Sequence, residues 1–449
     1  MENLQTEVVK DLIKNNQKPA LHKLLLDSNP VDVAELMNEL TDQDLLVAFR
    51  ILPKDLAADV FSRVDSDTQQ KIVESVSEAE VARIVNELFV DDAVDFIEEM
   101  PAVVVKKILK NTSPEMRKEI NLLLSYPEDS AGTIMTTEFV DLRAGLTVKD
   151  AIARIRKIGI DSETINVLYV IDDNRRLLGL LEIRKIILST PDALIGDIMD
   201  TNVVKVNTLS DQEEVAALFK KYDLLAMPVV DTEDRLVGIV TVDDILDVIE
   251  EENEEDFAIM NALEPSDEPY LETNIFTLAK RRIVWLLVLM ISATFTGLII
   301  RRYEAVLSSV VILTSFIPML MDTGGNAGSQ SSTLIIRGLA LGELKLGDFF
   351  KILYKEFLIS IIVGTILGVI NFARLYFIER VSLMIALTVT LSMLVVVMIA
   401  KVCGGLLPVL AKRLKMDPAI MAGPFITTIV DALALIVYFQ FARIFILGN

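Results

Sequence analysis

Residues 283–300, IVWLLVLMISATFTGLII, carry no charge and as a helix are long enough to cross a hydrocarbon core of about 30 Å. Four further apolar stretches follow at 305–321, 357–378, 381–400 and 419–447, the fourth span able to continue past Lys401 to residue 410. Five spans predict a five-helix transmembrane domain over residues 276–449. Lipid offers no partner to backbone polar groups, so every span must be helical, and any break must line a wet cavity or be buried in protein.

Charge divides the chain at the same place. Residues 1–275 carry 27 Lys and Arg against 57 Asp and Glu, whereas residues 276–449 carry 16 against 8. An acidic half of this kind argues against nucleic acid and favours cations. The chain has one Cys, Cys403, and one His, His22, which excludes a disulfide framework and a His/Cys metal cage. Hydrolase chemistry would have to recruit His22 from the far end of the chain, so the expectation is that the protein is no enzyme. No apolar leader precedes residue 17, and basic residues such as Lys280, Arg281, Arg282, Lys412 and Arg413 gather at one set of span ends. The positive-inside rule then predicts a multi-pass protein of the cell membrane, N-terminus cytoplasmic and C-terminus extracytoplasmic.

Polar residues interrupt this apolar half at two places. Residues 315–333, SFIPMLMDTGGNAGSQSST, set glycines, Asp322, Asn326 and Gln330 beside a span. A helix break exposing carbonyls is the expected reading; a cytoplasmic loop and close helix packing through small residues are the alternatives. In the last span Asp431 is the one charge between Asp417 and Arg443. A mid-membrane carboxylate costs roughly 2.5–3.5 kcal/mol on insertion scales, so it faces a pathway or a partner, Lys401 being the available base. Gly423 and Pro424 are expected to break the same helix and expose more carbonyls. Together these ligands are all oxygen, which selects a hard cation and leaves Mg²⁺, Ca²⁺ and Mn²⁺ undivided.

The acidic half has two textures. Residues 31–53 and 79–101 share Val-Ala, Asn-Glu-Leu, Asp and a closing Pro at an offset of 48, which predicts an all-α superhelical repeat over 1–129. From residue 130 β-branched runs take over. Residues 165–187 and 224–249 each read as strand, acidic turn, strand and helix, preceded by helices at 148–158 and 212–222. The stretch 243–257, DDILDVIEEENEEDF, then places nine acids in fifteen residues on a helix leading to the first span.

The stretches PMLMDTGGNAGSQSSTLIIRGLA (318–340) and DPAIMAGPFITTIVDALALIVYF (417–439) resemble the MgtE family of magnesium channels, and the resemblance extends along essentially the whole chain. Residues 130–249 likewise resemble a tandem pair of CBS modules. The resemblance implies a multi-domain membrane protein: an all-α domain at 1–129, an α/β CBS pair at 130–249, an acidic linker helix and connector at 250–275, and the five-span domain. It implies a homodimer with a Mg²⁺ pore on its two-fold axis, closed by cytosolic Mg²⁺. By that resemblance Asp431 holds hydrated Mg²⁺, with Gly325, Asn326, Ala327, Gly328, Gly423, Pro424 and Thr427 along the path. Some members have Asn where this chain has Gly423, which leaves only a backbone ligand there.

Regulatory Mg²⁺ is implied at Asp223, Asp244, Asp247, Glu252, Glu255 and Asp256, facing Asp91, Asp92 and Asp95. Thr241 and Asp244 match positions that bind the ribose of adenine nucleotides in some CBS modules; the first copy has Glu182 and Lys185 instead. Two alternatives stand beside this reading: a carrier of Mn²⁺, Co²⁺ or Ca²⁺, and a membrane-anchored CBS sensor without transport.

Overall fold

The computed structural model describes residues 6–98, 100–265, 270–271 and 273–447. They fall into two compact units, Met1–Ile249 and Glu250–Asn449.

The first unit opens with ten helices, α1 (Thr6–Lys14) to α10 (Pro114–Leu123). Helices α3 (Pro30–Asn38), α4 (Asp42–Phe49), α5 (Lys54–Arg63) and α6 (Ser66–Ser75) recur as α7 (Glu78–Val85), α8 (Val90–Glu98), α9 (Ala102–Asn111) and α10. Each start is displaced by the 48 residues of the sequence repeat. The shared Asn-Glu-Leu has a structural reason. Asn38 Oδ1 accepts from the Asp65 N–H at 3.2 Å, and Asn86 Oδ1 accepts from the Ser113 N–H at 3.0 Å. Asp65 and Ser113 in turn cap α6 and α10 through their side chains. One amide thus ties the end of one helix to the start of another, once per repeat. Phe61 and Phe96 meet edge to face at 4.9 Å in the shared core.

Two small sheets follow. The first joins β1 (Phe139–Leu142), β2 (Thr164–Ile171) and β3 (Leu177–Glu182), with α11 (Val148–Ile158) crossing from β1 to β2, and α12 (Ile183–Leu188) and the short α13 (Ile195–Ile198) after it. The second joins β4 (Val206–Asn207), β5 (Ala226–Val230) and β6 (Leu236–Thr241), with α14 (Gln212–Tyr222) as the crossover. In both, the middle strand is parallel to the first and antiparallel to the third. Both acidic turns close alike: Asp172 accepts from the Asn174 and Arg176 N–H groups, and Asp231 from those of Glu233 and Arg235. Helix α15 (Val242–Met260) leaves β6 and continues past Ile249, where the second unit begins.

The second unit contains α16 (Ile275–Arg302), α17 (Glu304–Ser309), a 3₁₀ turn at Val311–Phe316, α18 (Ile317–Ala340), α19 (Phe349–Ala373), α20 (Leu383–Arg413), a 3₁₀ turn at Pro418–Met421 and α21 (Gly423–Ala442). Among the described residues four helical stretches are long and apolar enough to cross a membrane: 275–302, 346–378, 383–413 and 418–446. Helices α18, α19 and α21 pack around α20, whereas α16 lies along α21 with none of its residues buried. The second expected span, 305–321, is corrected. That stretch is broken by the 3₁₀ turn, and the long helix begins at Ile317, running about 36 Å through the glycine motif.

Candidate ion path and acidic cluster

The expected helix break at residues 322–330 is not there; the segment is continuous α-helix. Glycine costs about 1 kcal/mol per residue against Ala in a helix, so packing has to supply the difference. A Cβ on Gly324 would lie 2.7 Å from Val396 and 2.9 Å from Val430. One on Gly325 would lie 3.0 Å from Thr427, and one on Gly328 3.1 Å from Ile426 and 3.3 Å from the Ala400 carbonyl. These glycines, with buried Ala327, make a smooth face that admits α20 and α21 at close range. Close packing through small residues, the alternative reading, describes the motif.

The opposite face of α18 is polar. Asp322, Asn326 and Gln330, spaced four residues apart, are all exposed in the single chain. On α21, Pro424, Thr427, Thr428 and Asp431 fall on one face by the same spacing. Gly423 and Pro424 start this helix instead of breaking it, because proline at the first turn gives up only an N–H that has no partner anyway. The non-helical backbone is Ala422, between the 3₁₀ turn and α21. The Pro424 carbonyl is not free for an ion, since the Thr427 and Thr428 hydroxyls both donate to it at 2.9 Å. Asp431 lies eight residues into α21, about 12 Å from its start. Asp322 stands near enough for the two carboxylates to act on each other's charge.

The sequence singles out one carboxylate here, Asp431; Asp322 is a second acid whose charge reaches it in the folded chain. Its four-residue spacing from Asn326 and Gln330 was the available signal. Lys401, the candidate partner for Asp431, is instead turned towards Ser331. Glu356, also missed, is buried beside the same serine.

In the first unit, Asp91, Asp92 and Asp244 come together, joined by Asp243 and by Glu163, which the sequence did not single out. Helix α8 is held there by Glu138, whose carboxylate accepts from the Val90 N–H at 3.3 Å and the Thr136 hydroxyl at 2.7 Å. Burial, then the Asp244 charge, raises the Asp91 carboxyl well above its usual range. The same two causes push Asp92 up to about 6 and Glu163 up to about 8. Asp244 is pushed up to about 6 by burial and by Asp243 and Asp247, against a hydrogen bond from the Thr241 hydroxyl that favours its charged form. One Glu163 oxygen is buried with no hydrogen-bond partner. Carboxyls crowded until they hold protons are the setting a divalent cation relieves. Among the described residues, no three acidic, His or Cys side chains are grouped closely enough to hold a bare ion.

The other expected acids are more open. Asp95 and Asp247 are exposed; Asp223, also exposed, closes α14 in the left-handed conformation at φ 51°. Glu252, Glu255 and Asp256 lie on the stretch of α15 that belongs to the second unit. Thr241 is buried, and its N–H and hydroxyl both donate to Asp244, capping the start of α15.

The magnesium transporter MgtE of Thermus thermophilus is 35% identical to this chain over 448 residues, 99% of either length. The chain belongs to the MgtE family. The MgtE of Bacillus subtilis is 33% identical over 435 residues, 97% of this chain and 96% of its own length. The family model described as a divalent cation transporter matches residues 317–441, starting at the first residue of α18. The MgtE intracellular N domain matches 28–129, and the CBS domain matches 131–190 and 195–251. Among solved structures, the soluble part of a magnesium transporter aligns with a TM-score of 0.53 at 33% identity, over 55% of this chain and 97% of that one. The cytosolic domain of the Mg²⁺ channel MgtE in complex with ATP aligns with a TM-score of 0.52 at 36% identity, over 54% and 100%.

Proposed function

We propose that the chain transports Mg²⁺ across the cell membrane as a homodimer, along a path lined by α18 and α21. The observation that carries this reading is the polar face of two membrane helices, Asp322, Asn326 and Gln330 on one and Thr427 and Asp431 on the other. Such a face is too costly to leave against lipid. A second copy of the chain set against it would enclose a water-filled path. Asp322 and Asp431 suit a cation that keeps its inner waters, as Mg²⁺ does, because carboxylates bind hydrated Mg²⁺ through those waters. Five spans, counting α18, leave the C-terminus extracytoplasmic.

Cytosolic Mg²⁺ closes the path in this proposal. Asp91, Asp92 and Asp244, with Asp247 beside them and Glu163 added, form the regulatory cluster, and cation binding there favours the compact state of the acidic half. Asp95, Asp223, Glu252, Glu255 and Asp256 are further candidate ligands. The carbonyl of Met260, the last residue of α15, lies 3.1 Å from where a Cβ on Gly423 would be, so the linker ends against the start of α21. The CBS pair takes an adenine nucleotide, a reading supported by the ATP complex of the related cytosolic domain and by the Thr241–Asp244 pair at the head of α15.

The test is ion flux into liposomes holding the purified protein, with Mg²⁺, Ca²⁺ and Mn²⁺ compared side by side. Mg²⁺ flux that Asp431→Ala abolishes supports the proposal. Equal flux of all three ions, or flux unaffected by that substitution, overturns it.

A further inference from the structure

Behind the polar face of α18 lies a cluster that the ion path does not use. Ser331 on α18 is 1% exposed, Glu356 on α19 6% and Lys401 on α20 5%. The Ser331 hydroxyl donates to Glu356 Oε2 at 2.6 Å and accepts from Lys401 Nζ at 3.4 Å. Three helices therefore meet through one hydroxyl, with an acid on one side and a base on the other. Glu356 lies seven residues into α19, about 10 Å from its start, and Lys401 twelve residues before the end of α20, about 18 Å. Both groups are inside helices that cross the membrane, where an ionisable side chain is retained for a function or within a compensated set.

The neighbouring backbone explains why a lock is needed here. One turn from Ser331 and Lys401, Gly328 and Gly404 bring the backbones of α18 and α20 into contact. A Cβ on Gly405 would lie 2.8 Å from Glu356 Cγ, so the glutamate side chain lies across bare backbone. A glycine-lined contact permits close approach but offers few knobs to oppose rotation of one helix against the other. Directional hydrogen bonds between buried charged groups supply that specificity, registry being the best-attested use of buried polar sets.

We propose that Glu356, Ser331 and Lys401 form a charge-balanced lock that fixes the rotation of α18, keeping Asp322, Asn326 and Gln330 turned towards the ion path. The three are positioning residues and touch no ion. The inference rests on the path proposed above. Ser331 is 100° round the helix from Gln330, so breaking the lock lets the polar face turn without touching it.

The experiment compares Glu356→Gln, Lys401→Met, Ser331→Ala, Ser331→Thr and the double variant Glu356→Gln/Lys401→Met in the full-length protein. Two readouts are taken: Mg²⁺ flux in liposomes, and the rate at which a water-soluble thiol reagent labels Asn326→Cys in a Cys403→Ser background. Each single charge removal leaves the opposite charge buried and unbalanced, and should lower flux by about tenfold or more. The same variants should slow labelling at 326 and quicken it at an Ala327→Cys control. The double variant and Ser331→Thr, which restore balance or the hydroxyl, should recover flux to within about threefold of the parent. Single variants that conduct and label like the parent overturn the lock. So does a double variant as impaired as the worse single one, whether through lost flux or through failure to elute as a folded oligomer. If Asp431→Ala and Asn326→Ala conduct normally while the labelling shifts still appear, the path reading fails and the lock stands.

Discussion

The carbonyl of Gly328 in α18 faces Gly404 in α20 so closely that no methyl group fits at 404. Backbone meets backbone there, and neither side has a flexible end to move. Gly404→Ala should destabilise the membrane unit by about 1–3 kcal/mol through overpacking. Gly297 in α16 has nothing within 4 Å of its would-be Cβ, so Gly297→Ala should be neutral or gain up to about 1 kcal/mol of helix propensity. Thermal melting of the detergent-solubilised protein, followed by size exclusion, checks both; equal melting points would contradict the close approach.

Neutralising the second carboxylate tests whether the path holds one acid or two. Asp322→Asn should raise the Mg²⁺ concentration for half-maximal flux by about tenfold, equivalent to about 1.4 kcal/mol. Asp431→Asn should be the more damaging change, because that group is the better shielded from water. An Asp322→Asn variant with unchanged concentration dependence would remove Asp322 from the path.

The repeated amide ties of the helical domain should be equivalent. Asn38→Ala and Asn86→Ala each remove one side-chain acceptor for a backbone N–H, worth about 1 kcal/mol. Urea titration of the cytoplasmic half within the full-length protein should give similar midpoint shifts for both. A large shift for one alone would mean that the repeat is symmetric in sequence only.

The acidic cluster dictates a pH dependence of definite sign. Asp92 and Asp244, raised to about 6, and Glu163, raised to about 8, hold protons in the folded state that the unfolded chain releases near pH 4. The folded state therefore binds more protons between about pH 4 and 8, and stability falls as pH rises through that window. Without divalent cations, protease protection of the cytoplasmic half should be weaker at pH 8 than at pH 5.5. Millimolar Mg²⁺ should restore it most at pH 8, where the carboxyls are charged. Glu163→Gln should flatten the upper part of the curve, and protection that rises with pH in chelator would refute the assignment.

Gating gives a separate test of the same cluster. Changing Asp244 and Asp247 to Asn removes charge that a cation would otherwise offset, so bound Mg²⁺ has less to stabilise. The double variant should stay open at cytosolic Mg²⁺ concentrations that close the parent. Closure at the parent's concentration would mean that the acidic run is only a solvated surface.

The sequence alone was sufficient wherever structure depends on neighbours along the chain. The 48-residue offset located helices α3 to α10, because each repeat buries one face against the next and caps itself with its own Asp or Ser. β-branched runs and acidic turns located the antiparallel pair of each sheet and both crossover helices, though not the short first strands β1 and β4, and the apolar runs located four helices of membrane length. Asp431 was legible because one charge in an apolar span has no ordinary use. Tertiary structure decided the rest. Three glycines look like a break until Val396, Thr427, Ile426 and Val430 stand against them, since helix propensity is local and the packing that outweighs it is not. The nearness of Asp322 to Asp431 emerges only when α18 and α21 are set side by side. Ser331 meets Glu356 and Lys401 across 25 and 70 residues, and Glu163 lies near Asp91 and Asp244 from much farther along the chain than any local pattern reaches. Burial and electrostatic contact act through space, so a linear pattern of residue types carries no record of them until the chain has folded.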